Sequence, residues 1–556
     1  MKKAMTGKQA LLEAIKMEGV DHIFGNPGTS EAPFISMLGD YPEFKYILAL
    51  QESVAVGMAE AYARSTGKAS FVSLHVDNGL ANGISLMLDA YNTGTPMVVT
   101  SANYDARKIT ERKTDLAELV RPVTKWAVEL NLPDQIPAAI RRAFNEANSH
   151  PKGPVYVGFS SNALESFADM EILSPSKIHD QVRPDLDGVK RAVEILMESK
   201  YPIMLVGDRV SDDGAVEEAV MLAELMGLPV YQSRGAEVSF PTKHDQFFGN
   251  ISLRVTSDRS VVRRSDTVLA IGMDTFEELF YWGDKILNQN AKLIHIDSDV
   301  EKIGKSEPTT VGLPSNCKFA LQELIKSLEN SMPKTSIAKI AKRRAEIKKE
   351  VAAQKQAFYD SVSDKWDQIP MTPARMMSEI ADALPKNSMV VDDSVSNRNA
   401  LRKYIHASQR GDIRGVRGQS IGGGIGATMG NQCASPEKKV FGIIGDGSAM
   451  MTIQGLWTAA NDEIPCIFII CNNGMYRVLK VNFDIYQREI LGENETAGSK
   501  LPHSEFSLPF DIASIATSMG VPGERIEHPS QIKPAIERAI VSGKPALLDV
   551  IIDGAL

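Results

Sequence analysis

Apolar residues along the chain fall into short runs separated by stretches with helical spacing. Tyr46–Leu50, Phe71–Leu74, Met97–Thr100 and Val155–Val157 read as strands. Between them, segments such as Ser53–Arg64 place Val54, Met58, Ala61 and Tyr62 at helical intervals. Strands alternating with helices predict a parallel sheet covered on both faces. The alternation returns in Ile203–Val206, Thr267–Ile271 and Leu293–Ile296, and again in Met389–Val391, Val440–Ile444, Ile467–Ile470 and Ala546–Val550. A polar, proline-containing stretch at Ser174–Pro184 reads as a linker. Lys334–Lys355, dense in Lys, Arg, Glu and Ala, reads as an exposed helix whose charges face solvent. The expected fold is α/β: three doubly wound parallel-sheet domains over 1–180, 185–333 and 361–556, with a linking helix over 334–360.

Composition narrows the class. A chain of 556 residues suits three or four domains of roughly 150 residues each. Hydrophobic residues at 43% and charged residues at 24% are ordinary for a soluble globular protein. With 61 Lys and Arg against 70 Asp and Glu, the net charge of −9 gives no reason to expect a nucleic-acid or anionic-membrane partner. The longest apolar runs, such as Cys466–Cys471, are strand-sized, far below the roughly 18–20 residues of a membrane span. Gln9, Glu13, Lys16 and Glu18 interrupt any signal-peptide core after Lys2 and Lys3. Cys317, Cys433, Cys466 and Cys471 lack metal-ligand spacing and read as reduced and structural. The expectation is a cytoplasmic multidomain enzyme.

In open parallel sheets ligands collect beyond the carboxyl ends of the strands, so the residues just after each strand carry the chemistry. Val440–Ile444 runs into Gly445-Asp446-Gly447-Ser448, where glycines allow a sharp turn close to a ligand and N–H groups at a helix start favour phosphate. Alone, Gly-Asp-Gly is an ordinary tight turn. The next strand, however, ends in Asn472-Asn473-Gly474, which would bring Asp446 and Asn473 to one edge. Their oxygens, with the backbone carbonyl of Met475, make a set of hard ligands suited to Mg²⁺ bridging phosphate. Glu52 follows the strand Tyr46–Leu50 at a helix start, and His75 ends the strand Phe71–Leu74.

Gly445-Asp446-Gly447, 24 intervening residues and then Asn472-Asn473 resembles the diphosphate- and metal-binding motif of thiamin-diphosphate-dependent enzymes. The resemblance spans the whole chain in the order pyrimidine-binding, central and diphosphate-binding domain. Asn26-Pro27-Gly28-Thr29, the run from Leu50 to Gly57 and Gly422–Gly426 are similar to the subgroup containing benzoylformate decarboxylase and acetolactate synthase. The Leu48–Glu52 run, His75 and Asn473–Tyr476 look nearest the decarboxylase. What this implies is a set of roles. Glu52 hydrogen-bonds the aminopyrimidine ring and drives deprotonation of the thiazolium carbon, a task for a partly protonated carboxyl group in a dry site. His75 acts as acid or base near the substrate carbonyl, with Gly28 and Thr29 beside it. Asn26 and Asn82 line the pyrimidine end. Ser394, Ser396, Gly447, Ser448 and Tyr476 belong to the diphosphate end, with Mg²⁺ on Asp446, Asn473 and Met475. Gly423 accepts the aminopyrimidine hydrogen bond, and Ile425, after Gly424, is the apolar wedge that bends the cofactor.

Gly422–Ala427 also fits a dinucleotide pattern, but Arg414–Ser420 before it is no hydrophobic strand, which sets a nicotinamide enzyme aside. The chain departs from the subgroup in having Thr29 where the decarboxylase has serine. It also has Leu279 or Phe280 where the second active-site histidine would fall. The paired histidines of pyruvate decarboxylase are absent too, since Val76 follows His75. A missing proton-transfer group favours capture of the intermediate by a second carbonyl. Leu279, Phe280, Val478 and Leu479 suggest an apolar substrate pocket.

The expected activity is therefore a thiamin-diphosphate- and Mg²⁺-dependent 2-oxo acid decarboxylase with carboligase capacity, taking a small 2-oxo acid and an aldehyde acceptor. The alternatives are an acetolactate-synthase-like carboligase and a non-catalytic cofactor-binding subunit; retention of Glu52 with the full metal motif argues against the latter. FAD is admitted by the resemblance but not indicated by the central-domain sequence. Family members build each site from two chains, so a homodimer or homotetramer is expected.

Overall fold

The computed structural model describes residues 2–110, 113–179, 181–233, 237–274, 276, 285–416, 420–493 and 501–555. Its strands form three six-stranded sheets, each parallel throughout, and one small antiparallel pair. Three α/β units flanked by helices are what the alternation of runs predicts.

The N-terminal sheet runs in the order Lys45–Leu48, His22–Asn26, Ser70–Leu74, Met97–Asn103, Pro154–Ser160, Ala127–Leu130. Every residue of Ser70–Leu74, Met97–Asn103 and Pro154–Ser160 is buried, as expected where helices cover both faces. Lys3–Thr6 pairs antiparallel with Phe167–Met170, Lys3 opposite Met170, so the start and the end of this domain are tied together. The central sheet runs Phe247–Ile251, Val230–Ser233, Pro202–Val206, Thr267–Ile271, Lys292–Asp297, Val311–Pro314. The charged run then forms one helix, Lys334–Ser363, with only Ile347 and Val351 buried. In the C-terminal sheet the order is Ile413–Gly415, Ser388–Asp393, Lys439–Gly445, Ile467–Asn472, Ala546–Ile551, Gly523–Ile526.

The outer domains meet through two helices. Glu52–Thr66 is capped by the Gln51 side chain, which accepts the Val54 N–H, and closes on left-handed Gly67. Thirteen of its 15 residues are buried, because it packs on the helix Gly423–Ala434 of the C-terminal domain. The backbones approach closely enough that a methyl group on Gly430 would lie 2.1 Å from the Met58 carbonyl oxygen. Phe24, Val54, Met58, Ile425, Met429 and Phe468 belong to one continuous core across this junction. Among the described residues, no helix is long and apolar enough to cross a membrane.

Candidate active site

Three neighbouring strands of the N-terminal sheet deliver side chains to one edge. Glu52, 6% exposed, starts its helix beyond Lys45–Leu48 and is held by two amides. Asn26 Nδ2, from the end of the adjacent strand, donates to Glu52 Oε1 at 3.0 Å, and Asn82 Nδ2 donates to Oε2 at 3.0 Å. A methyl group on Gly79 would sit 2.9 Å from Glu52 Oε1, so that residue leaves the carboxylate its space. Asn82 itself lies on the helix Asp77–Thr93 and is exposed in the single chain.

His75 follows the strand Ser70–Leu74. Its Nδ1 lies 2.9 Å from Glu31 Oε2 and 3.1 Å from Ser30 Oγ, and its side chain is about one-third exposed. A carboxylate can only accept, so the ring proton sits on Nδ1 and Nε2 is left as the group that meets a ligand. Glu31 also accepts from the backbone N–H of Gly28 at 3.1 Å and of Ala102 at 2.8 Å, and from Ser30 Oγ at 2.8 Å. A methyl group on Gly28 would fall 1.9 Å from His75 Nδ1; glycine is what lets the ring lie against this loop. Thr29, next to it, is exposed. Glu31 was not singled out in the sequence. Its signal was its place three residues after Gly28, where a glutamate can turn back onto the loop's own N–H.

The C-terminal sheet builds the other end from backbone turns. Gly445 and Cys471 are register partners on adjacent strands, so Asp446 and the segment from Asn473 leave the sheet side by side. Asp446 Oδ1 accepts from the Gly447 N–H at 2.7 Å, and Oδ2 accepts from Asn473 N–H at 3.1 Å and Gly474 N–H at 2.7 Å. Burial nevertheless pushes the Asp446 carboxyl up to about 6, these N–H groups opposing it only in part. Asn473 Oδ1 accepts from the Met475 N–H at 3.2 Å. The antiparallel bridge between Met475 and Glu505 uses the Gly474 carbonyl and the Tyr476 N–H, not the Met475 carbonyl. Asn472 points elsewhere, donating to Asp549 at 2.9 Å. Tyr476 packs edge-on against Phe506, and a methyl group on Gly447 would meet its ring at 2.4 Å.

Ser394 is 1% exposed, its hydroxyl donating to Asp392 Oδ1 at 2.7 Å, and Ser396 is half-buried. Between them Val395 has φ of +50°, a left-handed conformation that strains a β-branched residue by about 1–3 kcal/mol. Asp393 accepts from the Gly424 N–H at 3.0 Å and from the Ser448 hydroxyl, which in turn accepts from the Gly422 N–H at 2.7 Å. Burial raises Asp393 to about 6. Asp392 moves the other way. Burial opposes its charge, but Arg398 and Arg402 hold it below the usual carboxylate range. Two carboxylates closing the apolar run Met389–Val391 were the sequence signal for this support, and it was missed.

Ile425 has no exposed surface in the single chain and lies beside Val54 and Gly455. A methyl group on Gly423 would meet Val416 at 2.8 Å. The apolar side chain presented at that helix start is Ile421, 39% exposed, just before Gly422 with φ of +98°. Val478 is half-buried and Leu479 exposed on the helix Arg477–Ile485. Leu279 and Phe280 lie outside the described residues.

Known proteins match this arrangement over the whole chain. Residues 5–120 match the thiamine pyrophosphate enzyme N-terminal TPP-binding domain, 189–324 the central domain, and 393–550 the C-terminal TPP-binding domain. The chain belongs to the thiamine pyrophosphate enzyme family. Benzoylformate decarboxylase from Pseudomonas aeruginosa is 26% identical over 553 residues, 98% of each chain. The acetolactate synthase large subunit from Haemophilus influenzae is 27% identical, over 99% of this chain and 95% of its own. Among solved structures, the thiamine diphosphate-dependent 4-hydroxybenzoylformate decarboxylase of Rhodococcus jostii superposes with a TM-score of 0.84 at 25% identity, covering 99% of both chains. Thiamin diphosphate is thus the cofactor, and the chain is a lyase or carboligase of this family.

The residues present fit it. The carboxylate cradled by Asn26, Asn82 and Gly79 suits the aminopyrimidine. At the other end, a buried carboxylate, an amide oxygen and the Met475 carbonyl offer three hard donors to a divalent cation.

Proposed function

We propose that the protein is a 2-oxo acid decarboxylase of the benzoylformate-decarboxylase kind, with carboligase capacity, using thiamin diphosphate and Mg²⁺. The observation that carries this reading is the Glu31–His75 pair, a proton-handling imidazole oriented by a buried carboxylate at the edge that also holds Glu52. The chemistry thiamin diphosphate supplies when bound is an electron sink for the pair released as the C–C bond to the carboxylate breaks.

Around it, the chain's residues divide the work. Glu52 exchanges a proton with the pyrimidine ring. His75 Nε2 delivers or removes a proton at the substrate oxygen. Asp446, Asn473 and the Met475 carbonyl hold Mg²⁺, and Ser394, Ser396, Gly447 and Ser448 line the diphosphate. Gly423 accepts a hydrogen bond from the aminopyrimidine, and Ile425 is the apolar wedge that bends the cofactor. Val478 and Leu479, with Leu279 and Phe280, form the apolar side of the substrate pocket. Exposure of Asn82, Ile421 and Leu479 in the single chain supports a homodimer or homotetramer in which Glu52 of one chain serves the diphosphate domain of another. A cytoplasmic location belongs to the same reading.

A second reading, an acetolactate-synthase-like carboligase, is favoured by the comparable identity to acetolactate synthase and by the lone histidine in Leu74-His75-Val76. A proton NMR time course with benzoylformate and with pyruvate, each with thiamin diphosphate and Mg²⁺, separates them. Benzaldehyde from benzoylformate is the expected product. Acetolactate or acetoin from pyruvate without benzaldehyde assigns the chain to the carboligases, and no product from either overturns both substrate assignments.

A further inference from the structure

Four buried charges drawn from all three domains meet away from the site: Arg64 and its helix neighbour Glu60, whose Oε2 lies 3.4 Å from Arg64 Nη1, with Glu237 and Arg414. Glu237 of the central domain has no exposed surface. Its Oε1 accepts from Arg64 Nε at 3.1 Å and from Arg64 Nη2, and from Arg414 Nη1 at 2.9 Å. Arg64 lies in the last turn of the N-terminal-domain helix Glu52–Thr66, and Arg414 is on the C-terminal-domain edge strand Ile413–Gly415. Both guanidinium groups are at most 5% exposed. Arg64 also donates to the Gly415 carbonyl at 2.9 Å, a direct bond between the outer domains. Glu237 is itself anchored within its own domain. Its N–H donates to Asp208 at 2.9 Å, and its carbonyl accepts from Gln232 Nε2 at 2.7 Å.

Two guanidinium groups held beside each other in a dry interior repel, and one carboxylate oxygen between them reverses the sign of the interaction. Glu60 already faces Arg64 from its own helix, so it is Arg414 and the polar contact between the outer domains that draw on the charge supplied by the third. What it fixes matters to the site. Glu52 and Arg64 stand on one rigid helix, about 18 Å apart along its axis. On the other side, Ile413–Gly415 leads toward Gly422, whose N–H reaches Ser448 and through it Asp393.

We infer that Glu237 is a positioning residue for the thiamin diphosphate site: by clamping Arg64 to Arg414 it sets how the helix bearing Glu52 lies against the helix Gly423–Ala434. This rests on the cofactor assignment above, and it gives the central domain a part in the reaction without contact with the cofactor. The clamp fixes the two outer domains of one chain relative to each other. It therefore constrains the site whether Glu52 meets that chain's diphosphate domain or the partner's.

The test compares Glu237→Gln with the triple substitution Arg64→Met, Glu237→Met, Arg414→Met in the full-length protein. Thiamin diphosphate affinity is read by calorimetry in excess Mg²⁺, unfolding by thermal midpoint, and local order by hydrogen exchange over 52–66 and 420–434. Glu237→Gln is expected to weaken cofactor binding about 10-fold, the size of effect carried by a residue coupled to a site it does not touch, and to speed exchange at both segments. The triple substitution, which removes the clamp's charges together but leaves Glu60 with only its Thr95 partner among the described residues, is expected to bring the midpoint part of the way back toward wild type but not the affinity. Recovery of both would make the network merely structural and overturn the proposal, as would wild-type affinity in Glu237→Gln. Should Glu237→Gln not fold, the triple substitution decides alone. A wild-type chain that bound no thiamin diphosphate would instead sink the cofactor reading, and the exchange data on Glu237→Gln would still decide on the clamp.

Discussion

The first and last domains thread their six parallel strands in the same order, 2-1-3-4-6-5 counted within each sheet, yet offer opposite kinds of group at the same edge. The N-terminal edge presents side chains: Glu52 between two amides, and His75 backed by Glu31. At the C-terminal edge it is turned backbone that faces the ligand, with Val395 and Gly422 at positive φ and aspartates gathering N–H groups from below. Shared topology decides where a ligand lies; the residues after each strand decide what is done to it. Proton chemistry needs side chains that can gain and lose a proton, whereas a diphosphate needs donors in a fixed arc.

Substitutions at the two edges should separate these roles. The largest effect is expected at Glu52→Gln, which keeps the hydrogen-bonding shape but removes the proton exchange. Turnover should fall by at least about 100-fold with cofactor binding retained, seen in initial rates beside calorimetry. Unchanged turnover would remove Glu52 from the mechanism.

At the opposite edge Asp446→Ala should abolish Mg²⁺-dependent cofactor retention on a desalting column, while the cofactor-free protein keeps its circular dichroism. Third comes Gly28→Ala. Its added methyl group meets His75 Nδ1, so the ring must shift; a loss of about 1–3 kcal/mol in stability and a slower reaction are expected, measured by denaturant unfolding and rates.

A stability effect comparable to that of Gly28→Ala concerns the support beneath the diphosphate end. Asp393, raised to about 6 from an ordinary 3.8, binds its proton more tightly folded than unfolded. Its proton therefore stabilises the fold below about pH 4, and that contribution is lost as pH rises toward 6. Each pKa unit is worth roughly 1.4 kcal/mol. Unfolding of the cofactor-free protein against pH should show this slope, and Asp393→Asn should reduce it, Asp446, also raised to about 6, supplying part of the remainder. A slope that survives the substitution belongs to another group.

Legibility followed burial. Strands covered on both faces are runs of apolar residues, and Thr267–Ile271 can be read off the sequence residue for residue. Edge strands such as Gly523–Ile526 and Val311–Pro314 have mixed exposure and were not seen. Nor was His22–Asn26, whose apolar part is only Ile23 and Phe24. In the site, Asp446 and Asn473 were legible because adjacent parallel strands bring their ends together whatever the register. The helix start at Gly423, invisible in a run of glycines, leaves Ile421 outside the core and Ile425 within it. Glu237 was out of reach for a further reason, since its arginine partners lie 173 and 177 residues away.

The antiparallel ladder between Lys3–Thr6 and Phe167–Met170 has a mechanical meaning. Because Lys3 and Met170 form its first rung, tension between the amino terminus and the residues following Met170 parts the ladder one rung at a time instead of shearing all rungs together. A handle attached at the amino terminus in a force experiment should therefore peel this latch in a small early step. The six parallel strands behind it would feel the load only afterwards.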